Sequence, residues 1–156
     1  MKQFINGFSG IKLLAFVALS AVLFSFYGIG GEGYTIRIGD RLLIEKHVTL
    51  KSVVPNFSLS QGDVDEELFV YYSHCGKIGM SRSIAIKDNR NTVLKEWKYA
   101  DVVSGNAPMV CKVKDILALQ REAGRSVQLV YSSKEIPSGK VLANVTLSTE
   151  GVARRD

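Results

Sequence analysis

The residues of this chain best suited to chemistry are two histidines and two cysteines: His47, His74, Cys75 and Cys111. Imidazole nitrogen and thiolate sulfur are zinc and copper ligands, so a metal centre is the first chemistry to weigh. The spacing argues against it. His74 and Cys75 are adjacent, and neighbours in a strand point to opposite faces. A blue-copper centre takes two histidines, a cysteine and usually an axial methionine. Here no histidine follows His74, and Cys111 is followed by Lys112-Val113-Lys114. The thiols fit a disulfide better. In an oxidising compartment an even cysteine count favours pairing, and Cys75–Cys111 is the one connectivity available. Closing that loop would stabilise the fold by about 3–4 kcal/mol in the chain-entropy model.

Other motifs fail on their surroundings. Ser81, in Gly79-Met80-Ser81-Arg82-Ser83, has half of a nucleophile elbow; the second glycine and the strand–turn–helix frame are missing. Asp63, Asp65, Glu66 and Glu67 cluster, but they lack the glycine and terminal glutamate of a calcium-binding EF-hand loop. They read as a solvated acidic loop. Gly28, Gly30 and Gly33 spell G-x-G-x-x-G after an apolar run and before a strand-like stretch. A dinucleotide site needs that string to open a helix in a βαβ unit, so here it reads as a tether. Asn56 and Asn144 sit in glycosylation-type triplets, relevant only in a eukaryotic secretory route. No catalytic residue, metal or cofactor is expected.

The strongest organisational signal lies at the N-terminus. Lys2 and Lys12 are the only charges before an uncharged stretch from Leu13 to Ile29. This is an export signal, with the N-terminus held in the cytosol by its lysines. The run is long for a cleaved signal and long enough to span a bilayer. Gly28-Ile29-Gly30, preceded by Phe24, Phe26 and Tyr27, is a poor cleavage site. An uncleaved anchor over residues 1–31 is therefore favoured, with a periplasmic or secreted protein as the outcome if cleavage occurs. Residues 32–156 form one extracytoplasmic domain, long enough to bury its own core.

That domain reads as mostly all-β. Strand patterns cover Tyr34–Ile38, Leu42–Val54, Phe57–Leu59, Glu67–His74, Ser81–Lys87, Thr92–Tyr99, Met109–Val113, Val127–Ser132 and Val141–Leu147, with turn residues between them. One short helix is expected over Ile116–Ala123, capped by Asp115 and closed by Gly124. The sum is an antiparallel β-sandwich, Ig-like or a small barrel, preceded by the N-terminal hydrophobic helix.

A net charge of +5 is too mild to indicate nucleic-acid binding, but its distribution is uneven. Lys77, Arg82, Lys87, Arg90, Lys95 and Lys98 form a basic stretch, and the only tryptophan, Trp97, lies within it beside Tyr99. Basic side chains speed encounter and desolvated aromatics anchor a contact. Arg82, Lys87, Arg90, Lys95, Trp97, Lys98 and Tyr99 are accordingly the expected partner-binding residues, on a hairpin turning at Asp88–Asn91. The expected function is a non-enzymatic binding module outside the cytoplasm, attached to the membrane through residues 13–29 and engaging a protein partner. The alternatives are a periplasmic or secreted inhibitor or immunity-type protein, and an enzyme or metalloprotein assembled from scattered residues around His47 and His74.

Overall fold

Alternation of apolar and polar side chains, the two-residue period of a half-buried strand, builds most of the structure. The computed structural model describes residues 31–48, 53–102 and 107–148, and the expected membrane segment lies outside them. Strands β1 (Gly33–Ile38) and β2 (Arg41–His47) form a hairpin. Its two-residue turn opens on Gly39 at φ 50°, a sign of φ that a hairpin turn requires and glycine supplies without strain. Strand β4 (Glu67–Ser73) pairs with the other side of β1, and β7 (Met109–Lys112) pairs with β4. The order in this first sheet is β2-β1-β4-β7.

The second sheet contains β3 (Asn56–Ser60), β5 (Ser83–Lys87), β6 (Val93–Lys98), β8 (Ser126–Ser132) and β9 (Lys140–Ser148), in the order β3-β9-β8-β5-β6. Its pairings are antiparallel except one: β3 runs parallel to β9. The expectation of a wholly antiparallel sandwich is corrected there. β2 and β3 belong to different sheets, so the chain enters the second sheet by a crossover, and a hairpin no longer dictates direction.

The sheets share one core. Ile36, Leu68, Val70 and Met109 from the first sheet meet Ile84, Ile86, Leu129, Leu142 and Leu147 from the second, all buried. Fully burying a side chain of this kind stabilises by roughly 1.5–3 kcal/mol. Two single helical turns follow β7: α1 (Val113–Leu117) and α2 (Gln120–Ala123), closed by Gly124 at φ 77°. The helix starts three residues earlier than its sequence signals indicate. Asp115 is not its cap: Lys112 holds that place without a side-chain hydrogen bond, and the Asp115 carboxylate reaches Lys95. No helix among the described residues is long and apolar enough to cross a membrane.

The Cys75–Cys111 disulfide is overturned. Both thiols are free, Cys75 exposed and Cys111 buried. Cys111 pairs across the sheet with Leu68, whereas Cys75 lies past the far end of the same strand. At about 3.3 Å per residue that separation is near 20 Å, far beyond what a disulfide spans.

Candidate functional site

The hairpin from Ser81 to Tyr99 contains every residue singled out for partner binding, and it sorts them into two groups. β5 turns Ile84 and Ile86 into the core, and Arg82, two residues earlier, shares that inward face. Arg82 is only 3% exposed. Its guanidinium donates to the Ala107 carbonyl at 2.9 Å and the Ala100 carbonyl at 3.2 Å, holding together two points of the segment that leads to β7. Tyr99 also faces inward. Its hydroxyl donates to the Val110 carbonyl at 2.9 Å and lies 3.2 Å from the Cys111 sulfur. Burial first, then the Cys111 neighbour, pushes the Tyr99 phenol well above its usual range. Arg82 is thereby buried beneath the hairpin, while Tyr99 is partly buried against the core and keeps some exposure at the rim.

The others face outward or sit at the rim. Lys87 is half-buried and reaches Asn91 at 3.2 Å, while Arg90 and Lys98 are exposed. Trp97 is partly buried against the core, with the Lys95 ammonium 5.1 Å from its ring centre. Lys95 is also held 3.1 Å from Asp115. The turn that projects Arg90 is ordered. The Asp88 carboxylate accepts the amides of Arg90 at 2.9 Å and Thr92 at 2.8 Å. These bonds, that to Thr92 first, hold its carboxyl below the usual range. A bulge at Leu94, where the register shifts, adds local twist. Among the described residues β6 is the last strand of its sheet.

A second polar assembly lies at the end of the core where β1 begins, and residue type alone does not single it out. The inward face of β4 ends on Tyr72 and His74, and that of β8 ends on Tyr131 and Ser133. His74 Nε2 is 2.9 Å from the Tyr131 hydroxyl and 3.4 Å from the Ser133 hydroxyl. Its Nδ1 lies 3.5 Å from Glu32, whose other carboxylate oxygen receives Lys140 at 3.0 Å. Below them Tyr72 stacks on Tyr131 at 4.2 Å and lies parallel to Tyr34 at 6.2 Å. Burial and then Glu32 push the Tyr72 phenol well above its normal range. For Glu32 burial alone would raise the carboxyl, but Lys140, Tyr72 and His74 together bring it below 4.5.

Carboxylate, imidazole and hydroxyl in a row have the order of a hydrolytic triad. Access does not match it. Ser133 is 5% exposed and its oxygen already accepts the Ile136 amide, while Tyr131 is wholly buried. The row works as a polar cap tying the two sheets together. Gly79 belongs to it, because a Cβ there would stand 2.5 Å from the Tyr131 hydroxyl and 2.7 Å from His74 Nε2. The residue signal that could have found the cap is strand parity: Tyr131 and Ser133 share a face, as do Tyr72 and His74.

The remaining candidates lie apart. His47 is exposed at the end of β2. Ser81 is exposed with φ 51°, and its amide donates to Asp101; His74 faces Tyr131 and Ser133 instead. Asp63 bonds Arg41 at 2.9 Å and the Ser60 hydroxyl at 2.9 Å, while Asp65, Glu66 and Glu67 are exposed. Among the described residues no three His, Cys, Asp or Glu side chains are placed to hold a metal ion. No protein-family model matches the chain, and no curated protein matches it either.

Proposed function

We propose that this chain is a non-enzymatic binding module working outside the cytoplasm, tethered by a membrane helix over residues 13–29, and that it engages a protein through the turn of the β5–β6 hairpin. The observation that carries this reading is the ordered turn itself. Asp88 fixes the loop with two hydrogen bonds, so Arg90 stands out from a rigid base with Lys87 beside it. A preorganised basic projection loses little entropy on docking and attracts an acidic patch. Lys98 extends the basic surface along β6.

The test is the double charge reversal Lys87→Glu with Arg90→Glu in the full-length protein. Both side chains lie outside the core, so melting should be unchanged. Native-membrane capture should lose its salt-sensitive partner. Undiminished recovery would make the hairpin scaffold and reject this reading.

A further inference from the structure

The open edge of β6 carries an inference that goes beyond the basic turn, because the phase of the ladder decides which backbone groups it offers. The Tyr99 amide donates to the Arg82 carbonyl at 2.9 Å. Tyr99 and, at the two-residue period, Trp97 and Lys95 therefore direct their backbone groups toward β5. The N–H and C=O of Glu96 and Lys98 point the other way, and no strand pairs with them among the described residues.

An antiparallel strand added here must match outward-pointing residues with outward-pointing ones. Two copies of β6 related by a two-fold axis satisfy this in few registers. Centring on Glu96 opposes two glutamates, and centring on Lys98 opposes two lysines. Centring on Lys95 opposes Lys95 to itself and Glu96 to Leu94. Centring on Trp97 sets Glu96 opposite Lys98 of the second copy, and symmetry repeats the pair. Each is a hydrogen-bonded pair that exchanges both backbone bonds. Between them the two Trp97 residues form a non-hydrogen-bonded pair, the closer kind, in which aromatic side chains meet.

We propose that β6 is the contact of a homodimer, with two copies paired antiparallel about Trp97 so that their second sheets become continuous. Edge lysines ordinarily discourage such pairing. Here Lys98 has its complement, Glu96, two residues away on the same exposed face, 3.9 Å distant within one copy. A contact this short gives weak association in solution. Confinement of both copies to one surface, as the tether would impose, raises it by effective concentration.

The experiment is sedimentation velocity on the full-length chain in detergent over a concentration series. The wild type should show a concentration-dependent dimer. Glu96→Lys sets lysine against lysine and Lys98→Glu sets glutamate against glutamate. Each variant alone should associate about tenfold more weakly. An equimolar mixture of the two should recover dimer, because the mixed pair is again complementary. Circular dichroism and melting of each variant show that it is folded. A wild type that stays monomeric, a dimer unaffected by either substitution, or a mixture no better than its components would each overturn the proposal. Lys87 and Arg90 lie outside this register, so their double reversal should leave self-association intact. Failure of the homodimer is thereby separated from failure of the partner-binding reading.

Discussion

Cys75 and Cys111 show how far position alone separates two identical side chains. Cys111 is buried under Tyr99, and burial pushes its thiol up to about 11, so at neutral pH it holds almost no nucleophilic thiolate. Cys75 is exposed in the turn after β4 at φ 51°. A thiol reagent at neutral pH should titrate one cysteine in the native protein and a second only after denaturation. Two equivalents at once, or none before reduction, would contradict these placements. Cys75→Ser should leave stability within about 0.5 kcal/mol of the parent, as a surface substitution does. Gly79 is the opposite case. Its missing Cβ leaves room for the Tyr131 hydroxyl and His74, and a buried phenol cannot swing aside. Gly79→Ala should destabilise by about 1–3 kcal/mol, as overpacking does. Tyr131→Phe in the same background should recover part of that loss in a chemical-denaturation cycle.

Within an element, local hydrogen bonds decide whether a turn is a rigid projection or a slack connection. The Asp88 carboxylate accepts the Arg90 and Thr92 amides, its own amide donates to the Thr92 carbonyl at 3.0 Å, and its carbonyl accepts the Asn91 amide at 3.0 Å. Asp88→Ala removes the carboxylate's bonds to the Arg90 and Thr92 amides while leaving the Lys87 and Arg90 side chains in place. Amide exchange at Arg90 and Thr92 should quicken, while the amides of β8 and β9 keep their protection. Equal loss of protection throughout the sheet would mean that the turn is integral to the core. The opposite end of the same strand pair depends on Arg82, whose guanidinium ties Ala100 to Ala107. Arg82→Met leaves two carbonyls without their donor and should cost about 2–4 kcal/mol.

Over the whole molecule, the sheets are joined by apolar packing along most of their length and by polar contacts where β1 begins. Glu32 links β1 to β9 through Lys140 and to β4 through His74. Its carboxyl lies lower in the folded protein than the ordinary 4.5. A depressed folded value means that the unfolded chain binds the proton more tightly. The stabilisation is therefore present above about pH 4.5 and is lost as pH falls through the folded value. Acid titration of the melting temperature should show a steeper fall below pH 4.5 for the wild type than for Glu32→Gln, which lacks the titrating group. Parallel curves would remove Glu32 as a determinant of acid stability.

Strand parity was legible in the residues. The Glu67–His74 run, with Leu68, Val70 and Tyr72 on one face, is the strand β4 between β1 and β7, and the Asp88–Asn91 turn joins β5 to β6 as its composition indicates. Period-two alternation and turn chemistry are local, so a linear chain carries them in full. Three matters were decided only in three dimensions. Cys75 and Cys111 stand apart because β7 pairs with the first half of β4, and no local rule sets that register. Arg82 and Tyr99 read as contact residues from their types, yet parity on a strand with one buried face turns them inward. The cap of Glu32, His74, Tyr131, Ser133 and Lys140 draws residues from both sheets across up to 108 positions of sequence. Such a cluster exists only after both sheets have closed on the core, because burial alone makes those polar groups need one another.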